Sequence, residues 1–230
     1  MNLRCIPFVL GFLLLAGIPS VFADEGVIFN KVSLQAQAER DVPNDLMTVI
    51  LAVKHQGKQP SSLAEEVNRD MQWAIERTKK HPYIESSTQA YYTYPIYKDL
   101  LVTGWRASQQ LELKSEEIAG LTDLVGVLQE KLHVKQINFS PTRATRLLIE
   151  NELIEEALAS YKRRVGIVQK HMDNMDYRII ELHVNTGSQR PPVMYAERAM
   201  AQAMDARKAP AVEAGTSKLT VTVSGSVQFF

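Results

Sequence analysis

Five histidines could supply an imidazole for catalysis or for metal binding. They are His55, His81, His133, His171 and His183. A protein metal site needs several ligands close together, and no two of these histidines have the short spacing that such sites show. His171 and Asp173 come nearest, but a histidine at the end of a predicted helix can also cap its last carbonyl groups. We therefore interpret His171 as a capping or solvated side chain and predict no metal site.

Nucleophilic catalysis by serine requires a base within reach and, in many hydrolases, a Gly-x-Ser-x-Gly turn. The sequence contains no such turn. The segment Ser224-Gly225-Ser226 lies inside a strand-like alternation, so Gly225 indicates a bulge or a close backbone approach. No glycine-rich phosphate loop precedes a helix, and the sequence therefore predicts no cofactor.

Three pairs of adjacent glutamates could supply carboxylates: Glu65-Glu66, Glu116-Glu117 and Glu155-Glu156. The first two pairs fall in the first turns of predicted helices, where acidic side chains complement the helix dipole. We interpret the third pair as part of a solvated helix face. A glycosidase-like carboxylate pair stays a minor alternative, and we expect a protein that is not an enzyme.

Aromatic side chains cluster at the end of one predicted strand and in the segment after it. They are Tyr91, Tyr92, Tyr94 and Tyr97, with Trp105 on the strand that follows. Strand alternation places Tyr92 and Tyr94 on one face and Tyr91 on the other. One interpretation is an exposed aromatic ledge that contacts a partner or a glycan. The other, which we favour, is core packing and ordinary strand propensity.

Residues 186–215 show no clear periodicity and contain Met194, Met200 and Met204. These methionines could scavenge oxidants as sulfoxides or form an adaptable contact surface. An equal alternative is that the segment is an alanine-rich connection in which the methionines have no specific role. Since long stretches without regular structure are usually functional or mobile, we expect an excursion from the fold here.

The N-terminal segment has the features of a cleavable secretory signal. Arg4 precedes an apolar run over residues 6–18, and Val21-Phe22-Ala23 offers small residues at the cleavage positions. Cys5 has no lipoprotein box before it. We predict cleavage after Ala23 and a periplasmic or secreted protein without an integral membrane segment, although a retained N-terminal anchor is the alternative.

Composition indicates an ordinary globular chain. Hydrophobic residues make up 45% and charged residues 23% of the 230 residues, and the 26 basic residues equal the 26 acidic ones. This balance argues against a dedicated nucleic-acid binder. Cleavage would remove Arg4 and the single cysteine, so the mature chain carries one more acidic than basic residue and cannot form an internal disulfide.

Hydrophobic periodicity predicts an α+β fold. The expected strands cover 28–40, 45–56, 84–94, 105–113, 134–140, 177–184 and 219–229, and the expected helices cover 62–80, 115–132 and 141–172. The central β-α-β-β-α-β order is that of a ferredoxin-like unit. We expect a mostly antiparallel sheet with helices on one face. An N-terminal strand, a long third helix and two C-terminal strands should extend that unit within one domain, residues 24–230.

Four segments are distinctive as a set: VSLQAQAE with VPND in 32–45, GWRASQQLEL at 104–113, INFSPT at 137–142, and YRIIEL at 177–182 paired with AGTSKLTVTVSG at 214–225. Through these segments the chain resembles the SIMPL-domain family, the YggE-like bacterial periplasmic proteins of unknown function. One departure is the third helix, which carries Gly166 and bulky residues where the family favours alanine and lysine.

This resemblance implies a secreted, cofactor-free protein linked with oxidative or envelope stress, whose relatives include ring-like or channel-like oligomers. It supplies no catalytic residues. We therefore expect first a self-associating structural protein, second a module that binds a small molecule, glycan or peptide near Trp105 and the tyrosines, and third a hydrolase with a scattered site.

Overall fold

The computed structural model describes residues 29–187 and 213–230. Its elements, in chain order, are β1 (Lys31–Pro43), β2 (Leu46–Gly57), α1 (Pro60–Thr78), β3 (Glu85–Lys98), β4 (Leu101–Ser115), α2 (Ile118–Leu128), β5 (His133–Ser140), α3 (Arg143–His171), β6 (Tyr177–Asn185) and β7 (Thr216–Phe229). The fold is α+β and all strand pairs are antiparallel, as the sequence predicts.

The centre of the chain forms a four-stranded sheet in the order β3-β4-β2-β5. This order places the first and third strands of the β-α-β-β-α-β unit in the middle, as in ferredoxin-like folds. Alternate residues of β2, such as Met47, Val49 and Leu51, point toward α1 and α2 and are fully buried. The helices therefore cover one face of this sheet, and in residues 29–187 and 213–230 they leave the other face open.

The remaining strands form a second sheet rather than an extension of the first. Its order is β1-β7-β6, and α3 packs on it through Leu153, Ala157, Tyr161 and Val165. The expectation that these elements extend the central sheet differs from the structure, since none of them pairs with β3 or β5, the strands at its two edges. β1 instead pairs along its whole length with β7, from Lys31 opposite Gln228 to Pro43 opposite Thr216.

The chain passes between the two sheets at Asn44 and Asp45. The Asn44 side chain donates a hydrogen bond to the Ala214 carbonyl at 2.6 Å and accepts one from the Ser217 hydroxyl at 2.6 Å. Asp45 accepts hydrogen bonds from the backbone N–H of Thr142 and from the Thr145 hydroxyl. The segment between β1 and β2 therefore links the start of β2 to the start of α3.

Three local predictions need correction or refinement. The first helix was predicted to begin at residue 62, but α1 begins at Pro60, which suits a first helical position because it lacks an N–H, and Ser62 donates to the Gln59 carbonyl. The predicted strand end at residue 94 is also wrong, because β3 is an edge strand that tolerates Pro95 and continues to Lys98. The second helix was predicted to begin at residue 115, but α2 begins at Ile118. Ser115 lies before the helix, and its side-chain oxygen accepts a hydrogen bond from the Glu117 backbone N–H at 3.0 Å.

Several predictions fall outside the described residues. They concern the signal segment 1–23, most of the excursion 186–215, and the methionines Met194, Met200 and Met204. Within the part of the chain that the structure describes, no helix is long and apolar enough to span a membrane.

Candidate functional site

A hollow of about 540 Å³ lies on the open face of the four-stranded sheet, opposite α1 and α2. All four strands contribute to it. We call it the open-face hollow, and its lining comprises Ala52, Lys54, Tyr92, Tyr94, Arg106, Ser108, Gln110, His133, Val134 and Lys135. The face is available because the two helices of the ferredoxin-like unit pack on the same side.

Two tyrosines form one wall of the hollow. Tyr92 and Tyr94 are two residues apart on β3, so their side chains share a face, as the sequence predicts. Their ring centroids are 6.2 Å apart and the ring planes are inclined by 33°. The side chains are 47% and 44% exposed, so they offer aromatic surface to solvent rather than filling the core. For these two residues, the favoured core-packing interpretation is wrong.

Cationic side chains surround the tyrosines. Lys54 lies on β2, Arg106 on β4 and Lys135 on β5, and none of the described residues that line the hollow has a carboxylate. When the Gln56 amide is turned so that its oxygen faces Arg106, that oxygen accepts hydrogen bonds from Arg106 Nε at 3.1 Å and Nη2 at 3.2 Å. Among the described residues, no ion pair involves any of these three cations.

The carboxylate next along β4 is already engaged. Glu112 forms an ion pair with Lys114 at 2.6 Å and accepts a hydrogen bond from Gln89 at 2.7 Å. It follows Gln110 by two residues on the same strand face. The positive charge of the hollow is therefore left without a carboxylate partner within the described ranges, which makes the hollow suited to an anion.

The structure separates the predicted aromatic residues into three places. Tyr92 and Tyr94 line the hollow, whereas Tyr91 is paired with Gln109 on the helix-facing side of the sheet. Trp105 is also on that side, opposite Gly57, and packs against the core beneath the helices. Tyr97 lies nearer the end of the hairpin, opposite Val102.

Sequence reasoning missed the cations of the hollow. Lys54 and Arg106 occupy the polar positions of two alternating strands, and that alternation could have placed each of them on a solvent face. The alternation does not reveal that β2 and β4 are neighbours, or that β5 brings Lys135 beside them. The missing information is strand order and register.

A second feature is the exposed end of the β3–β4 hairpin. Asp99 and Leu100 form its two-residue turn, with φ angles of 50° and 66°. Two successive residues at positive φ are typical of tight hairpin turns that match the twist of the strands. Leu100 is 95% exposed and Leu101 is 71% exposed, with Tyr97 and Val102 also exposed beside them. We call residues 97–102 the hairpin tip; it is an exposed apolar patch.

A third feature is a His–Asp pair between β2 and α1. His55 Nε2 lies 2.8 Å from Asp70 Oδ2, His55 Nδ1 lies 3.3 Å from Glu66, and Lys131 donates to Asp70 Oδ1 at 2.9 Å. Burial alone would raise the pKa of Asp70, but the hydrogen bonds from Lys131 and His55 lower it on balance. Sequence spacing could not reveal this pair, because its members belong to different elements.

The His–Asp pair does not have the arrangement of a catalytic triad. In a triad, one ring nitrogen faces a carboxylate and the other faces a nucleophile. Here carboxylates occupy both ring nitrogens of His55. Within residues 29–187 and 213–230, no three histidine, cysteine or acidic side chains are grouped so as to hold a metal ion. We therefore interpret the pair as a structural contact that links β2, α1 and the segment after α2.

Comparison with known proteins finds one matching family. A family model described as SIMPL, a protein of unknown function (DUF541), matches residues 32–227. The match begins within β1 and ends within β7, so it spans both sheets and all three helices. No curated protein matches the sequence.

Proposed function

The chain belongs to the SIMPL family, and we propose that it is a non-enzymatic periplasmic protein that self-associates and supports tolerance of oxidative or envelope stress. The observation that carries this proposal is the hairpin tip. In this proposal, the exposed apolar side chains of the hairpin tip contact another copy of the chain.

The exposure of the hairpin tip favours a contact. Soluble monomers rarely expose contiguous apolar patches, and such patches commonly mark interaction sites. Leu100 and Leu101 are adjacent and both largely exposed. Burial of a leucine side chain contributes about 2 kcal/mol, so even these two residues offer a considerable driving force for association.

Strand edges provide a second source of contact between copies. β3 is paired only with β4, and β6 only with β7, within the part of the chain that is described. An unpaired strand edge can hydrogen-bond to a strand of another chain. When two different surfaces meet, the contact repeats from copy to copy and can close into a ring. The hairpin tip and a distant edge such as β6 are two different surfaces of this kind.

A survival experiment tests the cellular part of this proposal. The gene is deleted from the source bacterium, and survival is measured under peroxide and under envelope stress. We expect reduced survival, which the wild-type gene restores and the double variant Leu100→Asp/Leu101→Asp does not. Leu148→Asp is the matched control, because Leu148 is 61% exposed but lies on α3, far along the chain from the hairpin. Unchanged survival of the deletion strain would contradict the stress role.

A second candidate function is the binding of a ligand at the open-face hollow. The specific observation in its favour is the combination of two exposed tyrosines with three cations around one concave surface. A ligand that binds the folded state raises the unfolding temperature, so a thermal-shift screen of metabolites, glycans and peptides tests this function. The absence of any stabilising compound at near-saturating concentration would count against it.

A further inference from the structure

We infer that the open-face hollow binds an acidic sugar, meaning a saccharide ring that carries a phosphate or carboxylate group. This inference rests on the second candidate function and specifies the ligand class. Three properties of the hollow lead to it: uncompensated positive charge, a stacking surface of tyrosine, and polar groups on the floor between them.

The positive charge of the hollow favours an anionic ligand. Lys54, Arg106 and Lys135 approach the hollow from three different strands, and none of the described residues that line it is acidic. With the Gln56 amide oxygen turned toward Arg106, hydrogen bonds from Nε and Nη2 to that oxygen restrain the guanidinium. A fixed guanidinium matches the geometry of phosphate and carboxylate oxygens, and hydrogen bonds between charged groups are among the stronger ones.

The two tyrosines favour a ligand that contains a ring. Tyr92 and Tyr94 present neighbouring aromatic faces inclined by 33°, with centroids 6.2 Å apart. This spacing leaves the two rings as a shallow, continuous ledge rather than a closed stack. An aromatic face offers apolar contact, while its hydroxyl offers a hydrogen bond at the edge. The C–H face of a sugar and its surrounding hydroxyl groups match both features.

The floor of the hollow carries polar side chains beside the apolar Ala52 and Val134. The Gln110 side chain lies between the tyrosine wall and the strands that carry Lys54 and Lys135. Ser108 donates its hydroxyl hydrogen to the Val53 carbonyl at 2.9 Å, so toward a ligand its oxygen can act only as an acceptor. Specific small-molecule sites use a few such placed polar groups to orient a ligand. A purely apolar ligand would leave these groups without hydrogen bonds.

The positive surface is also confined. On β4 the cation Arg106 is followed along the same face by Ser108, Gln110 and then Glu112, which is paired with Lys114. A nucleic acid needs a path of cations that tracks a repeating backbone. The hollow instead fits one or a few anionic groups, which favours a charged sugar unit.

The test is calorimetric titration of the full mature chain with four probes: glucose 6-phosphate, glucuronate, glucose and inorganic phosphate. We expect at least one charged sugar to bind at least about tenfold more tightly than glucose or inorganic phosphate, because a hydrogen bond to a charged group is worth about that factor. The affinity should fall as salt is added.

Variants locate the binding. Arg106→Gln and Tyr94→Leu should each weaken the charged sugar by about tenfold or more. Lys80→Gln is the matched control, since Lys80 is an exposed cation just after α1 and lies outside the hollow. It should leave the affinity unchanged, and circular dichroism checks that all three variants are folded.

Four results would overturn the inference. Equal affinity for glucose would remove the role of the cations, and equal affinity for inorganic phosphate would remove the role of the tyrosines. Binding that survives Arg106→Gln would place the ligand elsewhere. If none of the four probes binds while another compound stabilises the protein in the thermal-shift screen, the binding function stands and the acidic-sugar assignment fails.

Discussion

Tyr94 and Arg106 are direct cross-strand partners in β3 and β4, and both side chains lie on the face that α1 and α2 leave open. Directly opposite side chains in an antiparallel pair are close enough to act on the same ligand. This pairing brings an aromatic ring and a cation to one wall of the hollow. Trp105, adjacent to Arg106 in sequence, points to the opposite face and packs against the core.

Asp45 should stabilise the junction between the two sheets. It accepts hydrogen bonds from the Thr142 backbone N–H and the Thr145 hydroxyl at the start of α3. Asp45→Ala removes these acceptors, so we expect the free energy of unfolding to fall by about 1–3 kcal/mol in urea denaturation. Asp123→Ala, at an exposed position on α2, is the control and should change it little. Equal effects of the two variants would contradict this role.

Asp70 should make stability depend on pH in the acid range. The pKa of Asp70 is lowered in the folded state, since hydrogen bonds from Lys131 and His55 outweigh the effect of burial. A lowered folded-state pKa gives stability that is present above the unfolded value of about 3.9 and is lost as pH falls through the folded value.

Asp70→Asn therefore has a specific pH signature. At neutral pH it should lower the free energy of unfolding, because Lys131 and His55 lose their charged partner. The gap between wild type and variant should shrink below about pH 4, where the wild-type carboxyl also becomes protonated. Urea denaturation at several pH values measures both effects, and a gap that is constant down to the lowest pH would refute the explanation.

Two glycines should respond to alanine in opposite directions. A Cβ atom at Gly225 would lie 2.4 Å from the Glu181 carbonyl oxygen, so β6 would have to move away from β7. We expect Gly225→Ala to destabilise the protein by about 1–3 kcal/mol or more. At Gly166 in α3 no atom lies within 4 Å, and Gly166→Ala should stabilise by about 1 kcal/mol. Thermal unfolding of both variants tests the pair, and stabilisation by Gly225→Ala would contradict the close approach.

The Tyr161 hydroxyl is buried beneath α3 and has no hydrogen-bond partner among the described residues. A buried, unsatisfied hydroxyl costs about 1–3 kcal/mol. Tyr161→Phe should therefore leave the unfolding temperature unchanged or raise it, whereas Tyr161→Ala should lower it sharply by opening a cavity. A clear loss of stability in Tyr161→Phe would show that the hydroxyl has a partner after all.

Local sequence patterns predicted the helices and strands well because each of them has its own hydrophobic periodicity. Alternation along β2 and β7 and helical spacing along α3 required no knowledge of distant residues. The ferredoxin-like centre followed from the order of these elements. The close approach at Gly225 was also predicted, because a glycine within a well-alternating strand is otherwise unfavourable.

The division into two sheets could not be predicted in the same way. It depends on β1 pairing with β7, which is almost the whole chain away in sequence, and not with the neighbouring strand β2. The site depends on the same information, since Lys54, Arg106 and Lys135 meet only through strand order. The exposed Leu100 was missed for a different reason: its exposure follows from the length of the hairpin, which continues through Pro95 beyond the predicted end of the strand.

The most direct test of self-association is the mass of residues 24–230, the chain that the predicted cleavage would leave, in analytical ultracentrifugation over a concentration series. We expect wild type and Leu148→Asp to sediment as a defined multiple of the chain mass. We expect Leu100→Asp/Leu101→Asp to remain folded and to sediment as a smaller species. A wild-type protein that stays monomeric at the highest concentration would contradict the proposed function, and a full-size assembly of the double variant would show that the hairpin tip is not its contact.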